Sequence, residues 1–283
     1  MRSKNPETNR ITAPPRRAGR RPIALGLMAL AMAGPGLATP ALGAAPALSG
    51  ASALGGAPAL STAAGATARI PRITHHRPRD SRQHADQTWS GYAVLGHQPY
   101  HRITGRWTIP ALDCSQGGGD ASPWIGIDGF GNQTVEQIGV DLDCVNGQGS
   151  YHPWVEMYPG PSDYFRDTIH AGDTMAASVS ESAGVWTLTE SDVNTGWSKT
   201  FTRQPGNAPQ QASAEAVVED VGGGGAPPVP DFGTVTFSHV NVDGTALSGA
   251  GTAYQTTLQR GSTKLSEETA LSGGGFAISW LHR

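Results

Sequence analysis

The sequence predicts an all-β protein, with two antiparallel sheets packed as a sandwich or jelly roll. Three observations carry this expectation. From Trp89 onward, short runs rich in Val, Ile, Thr, Trp and Tyr recur, broken by Gly, Asp, Asn and Pro. No segment shows the apolar spacing of an amphipathic helix. Ten or so such runs fall in fewer than 200 residues, which is enough chain for one sizeable core shared by two sheets. No internal repeat is evident.

The expected strands, in order, are Trp89–Leu95, Ile103–Ile109, Trp124–Ile127, Thr134–Val140 and Trp154–Tyr158, followed by Thr174–Val179, Val185–Glu190, Trp197–Thr202, Ala214–Val218 and Thr234–Val240. Strand side chains alternate between faces, so each run can be sorted. In Trp124–Asp128, Trp124 and Asp128 share one face and Ile125 and Ile127 the other. In His152–Tyr158, His152, Trp154, Glu156 and Tyr158 oppose Val155 and Met157. In Ala214–Asp220, Glu215, Val217 and Glu219 oppose Ala216 and Val218. Three strands thus pair an apolar face with one that carries acids. A sheet of this kind covers a core and presents a groove lined by rings and carboxylates. Gln137 fits the groove face, leaving Ile138 and Val140 for the core, and Glu136 is then expected to point coreward. The bland reading of any one strand Glu is a solvated surface acid, favoured roughly three to one. Three strands sharing the pattern reduce those odds.

Before the β region the chain changes character. Arg16-Arg17 and Arg20-Arg21 precede the apolar run from Ile23 to Ala33, and small residues from Ala38 to Ala45 offer a cleavage site. Residues 1–44 are expected to be an export signal, with the arginine pairs permitting a twin-arginine route. The apolar run is too short to span a bilayer. Residues 45–68 are mostly Ala, Gly, Ser, Pro and Leu and read as a disordered linker. Residues 69–85 are basic, with Arg69, Arg72, Arg77, Arg79 and Arg82. Such a run is usually a solvated tail, but here it suggests a detachable inhibitory propeptide, leaving 86–283 as the catalytic domain. From Asp86 onward, 8 Lys and Arg face 21 Asp and Glu, a formal charge of −13 hidden behind a whole-chain value of −3. Nucleic acid is an unlikely partner for so acidic a body. Few cations and many carboxylates suit low pH, where the acids neutralise. Acidity serving only solubility stands at about even odds on composition. Export permits a disulfide. Cys114 and Cys144, the only two cysteines, would close a loop of about 30 residues worth roughly 3–4 kcal/mol, or remain as two thiols.

Five ordered motifs then carry a resemblance. They are Gln87-Thr88-Trp89-Ser90-Gly91-Tyr92, Trp124-Ile125-Gly126-Ile127-Asp128-Gly129, Glu136-Gln137-Ile138-Gly139-Val140-Asp141, Trp154-Val155-Glu156-Met157-Tyr158-Pro159 and Ala214-Glu215-Ala216-Val217-Val218-Glu219-Asp220. Over about Thr88 to Val240 the chain resembles the glutamic peptidases, or eqolisins, in a bacterial-type form. The resemblance implies a concanavalin A-like sandwich of two curved sheets, a Gln–Glu catalytic dyad and acid endopeptidase activity insensitive to pepstatin. By motif, it implies Gln137 as the catalytic amide and Glu219, rather than Glu215, as the catalytic acid. It implies a substrate groove lined by Trp89, Trp124, Asp128, Trp154, Glu156 and Tyr158. Three details depart from the fungal pattern: Glu136 replaces an apolar residue, His152 stands where an acid is usual, and Val221–Pro230 holds four successive glycines and three prolines.

The implied chemistry is self-consistent. A carboxylate takes a proton from water and returns it to the leaving amine. A neutral amide orients the water and donates to the developing oxyanion, a contact whose loss costs about 10²–10³ in rate. The reference glutamate value of about 4.3 favours an acidic optimum, with neighbouring carboxylates coupled to it. No metal or other cofactor is called for, because the histidines and cysteines show no ligand spacing. The expected partners are polypeptide substrates, with no nucleic acid and no membrane for the mature, secreted and monomeric protein. One rival is a glycoside hydrolase using Glu156 and Glu219. Another is a sugar-binding module stacking rings on Trp124, Trp154 and Tyr158. Serine hydrolase chemistry is weakly supported, since no Gly-x-Ser-x-Gly occurs.

Overall fold

The structure, a computed structural model, describes residues 88–97, 99–222 and 229–281. The expected signal, linker and basic segment lie outside the described residues. Along the chain run β1 (Trp89–Leu95), β2 (Arg102–Thr108), β3 (Gly119–Ile127), β4 (Val135–Val145), β5 (Gln148–Tyr158) and β6 (Asp163–Tyr164). Then come β7 (Thr174–Ser182), β8 (Val185–Asp192), β9 (Ser198–Arg203), β10 (Ser213–Glu219), β11 (Thr234–Val242) and β12 (Thr245–Ala246). The chain ends with β13 (Thr252–Thr256), β14 (Gln259–Arg260), β15 (Thr263–Lys264), β16 (Ser266–Glu268) and β17 (Phe276–Trp280). Each expected run lies on a strand, and six further strands follow Val242.

Two antiparallel sheets form the sandwich. One has the order β13-β1-β10-β3-β4-β5-β6, the other β16-β17-β11-β2-β7-β8-β9 with β12 beside β11. Three hairpins turn on a residue-glycine pair with positive φ at both positions: Asn146-Gly147 (53° and 75°), Ala183-Gly184 (51° and 79°) and Asp243-Gly244 (49° and 83°). Such turns match the twist of the flanking strands. The first of them makes β4 and β5 eleven residues each, longer than their apolar alternation suggests.

The faces sort as expected. Tyr92, Val94, Ile125, Ile127, Ile138 and Val140 from the first sheet meet Ile103, Trp107, Val179, Leu188, Val235 and Phe237 from the second in one core. The outer face of the first sheet carries a separate apolar group of Trp89, Ala93, Trp124, Phe130, Val135, Trp154 and Val217. The Cys114–Cys144 disulfide is formed and ties the loop before β3 to the end of β4. Glu268 joins the C-terminal strands to β1. It accepts from Ser90, from Ser266 at 3.0 Å, from Gln255 at 2.9 Å and from Thr257 at 2.6 Å.

Two other carboxyls have no such partners. Glu136 and Glu190 are fully buried, and neither oxygen of either one makes a hydrogen bond. Lys199, the cross-strand neighbour of Glu190, reaches Asp167 at 3.5 Å instead. Burial pushes Glu136 up to about 9, with Asp128 adding to the effect, and burial alone holds Glu190 well above the usual range. Both acids are therefore neutral in the folded state under acid conditions.

The sign of the pH dependence follows. Each of these two groups binds its proton more tightly folded than unfolded, so its contribution is full below about 4.5 and is lost as pH rises, for Glu136 toward about 9. Each group lowers stability by up to about 1.4 kcal/mol per pH unit in that window. Urea unfolding of the parent is expected to show stability falling from pH 5 to pH 8. Glu136→Gln with Glu190→Gln should match the parent near pH 4 and exceed it at pH 8. A parent whose midpoint is flat across that range would contradict this account.

Candidate active site

The outer face of the first sheet is built from cross-strand rows. The registers align Glu215 of β10, Gly126 of β3, Gln137 of β4 and Glu156 of β5 on one row. The next row is Val217, Trp124, Gly139 and Trp154. A methyl group at Gly139 would lie 2.5 Å from the Trp124 Cβ, so only glycine lets these two tryptophans flank the strand. A methyl group at Gly126 would lie 3.0 Å from the Glu136 carbonyl and from the Trp124 ring and 3.1 Å from the Gln137 Cβ. Gly126 thus puts no side chain between Glu215 and Gln137, and the Trp124 ring closes over it.

Gln137 donates from Nε2 to Glu156 Oε2 at 3.0 Å. Burial pushes the Glu215 carboxyl well above the usual range, opposed by the nearby Ser213 hydroxyl and Phe130 amide and reinforced by Asp128 and Glu136. An amide and a carboxyl on one row, with only a glycine between them, are a pair of the kind that can act on one water molecule. One group can move its proton and the other can stabilise an oxyanion.

Glu219 sits elsewhere. It lies four residues further along β10, roughly 13 Å at strand rise, on the row of Trp89 and Ser122. Its Oε2 accepts from Trp124 Nε1 at 3.0 Å. Glu219 was expected to partner Gln137; the register puts Glu215, not Glu219, on the row of Gln137. Both acids share a face of one strand, so alternation alone does not separate them.

Asp128, expected in the groove, is fully buried with φ 72°, a left-handed conformation that Asp tolerates. Its Oδ1 accepts from Asn132 Nδ2 at 2.6 Å and from the Ala212 amide at 2.7 Å. Its Oδ2 accepts from the Gln210 and Gln211 amides at 2.7 and 2.8 Å and from Thr134 Oγ1 at 3.3 Å. With these five donors Asp128 orders three chain segments.

The aromatic lining holds its expected face. Trp89 packs edge-on against Trp124 with ring centroids 4.8 Å apart, and Trp154 Nε1 donates to Ser122 Oγ at 2.9 Å. Tyr158 is half-buried against the same apolar group. The sequence reading missed Tyr164 of β6, whose hydroxyl donates to Asp141 Oδ2 at 2.5 Å opposite Trp154. Asp141 had a usable signal, because it follows Gln137 and Gly139 at strand spacing. At this end of the face His152 Nε2 lies 3.3 Å from Asp143 Oδ2. Burial pushes Asp143 up to about 8, with Asp141 and Asp120 adding, and burial lowers His152.

Comparisons with known proteins bear on the fold and the family. The family model described as the Peptidase A4 family matches residues 87–280. No curated protein matches. Among solved structures, scytalido-glutamic peptidase with a transition state analog inhibitor is 23% identical, with a TM-score of 0.60 over 69% of this chain and 98% of that one. SCP-B, a member of the eqolisin family in complex with the tripeptide Ala-Ile-His, is 20% identical with a TM-score of 0.55, over 69% and 98%. Aspergilloglutamic peptidase from Aspergillus niger is 28% identical with a TM-score of 0.50, over 58% and 99%.

Asp128→Ala is expected to leave five donors unmatched and to cost about 3 kcal/mol or more. Thermal unfolding at acid pH should show a large drop in midpoint, against a small one for the exposed Glu267→Ala. Equal midpoints would overturn the anchoring role of Asp128.

Proposed function

The chain belongs to the Peptidase A4 family and is a glutamic-type endopeptidase; on that premise we propose that Gln137 and Glu215 are its catalytic pair. The observation that carries this reading is the shared row, with only Gly126 between them. As carboxylate, Glu215 takes a proton from water, and the resulting hydroxide attacks the peptide carbonyl. Gln137 orients that water and donates to the tetrahedral oxyanion. Glu215 then returns the proton to the leaving amine. Its raised proton affinity makes it a stronger base once ionised and a competent acid afterwards. The same shift moves the base limb above the reference glutamate value, so the coupled acids of the face set the pH profile.

Casein or peptide hydrolysis by point variants, with pepstatin as a control, tests the pair. Gln137→Ala and Glu215→Gln should each lose at least about 10²-fold in kcat. Glu219→Gln should retain far more activity, with its loss expressed through the Trp124 contact. Full activity in Glu215→Gln, or inactivity confined to Glu219→Gln, would return the assignment to Glu219. Turnover of a polysaccharide that survives Gln137→Ala would favour the glycosidase reading.

Export and latency complete the proposal. The formed disulfide supports an oxidising destination. The basic 69–85 segment is a detachable inhibitor attracted to the acidic body. A synthetic peptide of residues 69–85 should inhibit the processed enzyme at low salt and lose potency as salt rises or carboxylates protonate. No inhibition at any salt would remove the propeptide role.

A further inference from the structure

We propose that the outer face of the second sheet carries a binding site for a phosphate group. The site is independent of the Gln137–Glu215 reading, which concerns the other sheet. It is a hollow of about 330 Å³ lined by Thr104, Gly105 and Arg106 of β2, Ala176 of β7, and His239 and Asn241 of β11. A bulge in β11 shapes it. Between the Ser238–Arg106 and Asn241–Thr104 pairs, His239 and Val240 stand opposite Gly105 alone. An extra residue of this kind bends its strand and re-aims side chains. His239 takes φ 54°, a left-handed conformation uncommon outside glycine. Two contacts hold the bulge. Asn241 Nδ2 donates to the His239 carbonyl at 2.7 Å. The Val240 amide donates to the Gly274 carbonyl at 2.9 Å, and a methyl group at Gly274 would collide with the Val240 backbone. Glycine at 274 therefore lets the neighbouring turn close on the bulge. Backbone strain held in place by its surroundings is a pointer to function.

The lining selects the ligand. Arg106 and His239 are exposed, and neither forms an ion pair with a described residue. Their cross-strand surroundings are Ser238, Ala176, Thr104 and Ser178, with no carboxylate among them. Asp243, in the turn after β11, accepts from the His101 amide at 3.1 Å, and Glu181 of β7 bonds the His101 ring at 2.9 Å. In a body with 8 Lys and Arg against 21 Asp and Glu, a hollow with two basic side chains and no acid is an exception. A guanidinium offers forked donors that match phosphate oxygens, a protonated imidazole adds a second charge, and the Thr104 hydroxyl adds a neutral donor. Donors that converge from two strands suit a tetrahedral oxyanion, either a free phosphate ion or a phosphodiester group of a polymer.

The test is equilibrium dialysis of the full chain against labelled inorganic phosphate at pH 5, where a histidine side chain carries charge. The parent is expected to bind saturably at about 1 mM or tighter. Arg106→Ala should weaken binding at least about tenfold, and Arg106→Lys, which keeps the charge but loses the fork, by less. His239→Asn keeps a residue that tolerates positive φ and removes the charge, so it should weaken binding about fivefold. Phosphate should raise the unfolding midpoint of the parent and not that of Arg106→Ala, while peptide hydrolysis stays at the parent level in all three variants. The basic 69–85 segment is common to parent and variants, so the difference between them reads the hollow alone. Glycerophosphoglycerol separates the two sources. Binding as tight as that of phosphate assigns the site to phosphodiester groups, and binding at least about tenfold weaker assigns it to the free ion. No saturable binding by the parent, or phosphate binding unaltered in both Arg106→Ala and His239→Asn, would overturn the inference. Should Arg106→Ala fail to fold, Arg106→Lys and His239→Asn carry the same comparison.

Discussion

The Asp128 carboxylate is the interaction on which the rest of the site depends. It gathers the end of β3, the loop entering β4 and the three residues that lead into β10. Side chains on a strand alternate strictly, so a slip of one residue would move every groove residue to the core. Glu215 lies three residues beyond Ala212, whose amide Asp128 holds, and Gln137 lies three beyond Thr134. The anchor thus ties both partners of the proposed catalytic pair to one point. A buried charge with five donors is well compensated, and removal of one such acceptor leaves several amides unmatched at once.

The first sheet has to serve as core wall and active surface together, and the chain meets this by alternation at single-residue resolution. Ile138 and Val140 pack inward while Gln137 and Gly139 line the outer face. Glycine at 126 and 139 adds no side chain to that face where two rings and two polar groups converge. The cost appears at Glu136, one residue before Gln137. Alternation forces its carboxyl into the core, where it has no hydrogen-bond partner. A neutral acid in an apolar interior is tolerable, but a charged one is expensive.

Most of the fold was legible because its signal is alternation. Strand positions and the two faces of Trp124–Asp128, His152–Tyr158 and Ala214–Glu219 followed from period two. The strands after Val242 were not legible: four of them have two or three residues and carry no period, and β13 and β17 have only five each. The Asn146-Gly147 hairpin is encoded in its turn chemistry and not in its apolar runs. The site was half legible. Gln137 and the aromatic floor stood out, while the choice between Glu215 and Glu219 depended on cross-strand register, which no single strand encodes. The role of Asp128 was hidden for a related reason: its donors at 210–212 are more than 80 residues away along the chain.

The same protonation chemistry bounds the working range from both sides. Toward low pH, the proposed role of Glu215 requires its carboxylate form to accept a proton from water, and burial resists that. Toward high pH, Glu136 and Glu190 must remain neutral for the sandwich to hold. Asp143 adds to the upper limit, since burial and its acidic neighbours also favour its neutral form. The body carries only 8 Lys and Arg against 21 Asp and Glu, so it has few cations with which to offset ionisation of these groups. Catalysis and folding therefore draw opposite demands from one class of side chain. The acid that must ionise lies on the groove face and the acids that must not lie on the core face, separated in β4 by the single step from Glu136 to Gln137. An excess of carboxylates, a glycine-floored groove and an acid-tolerant fold are in this protein consequences of one sheet exposed to two environments.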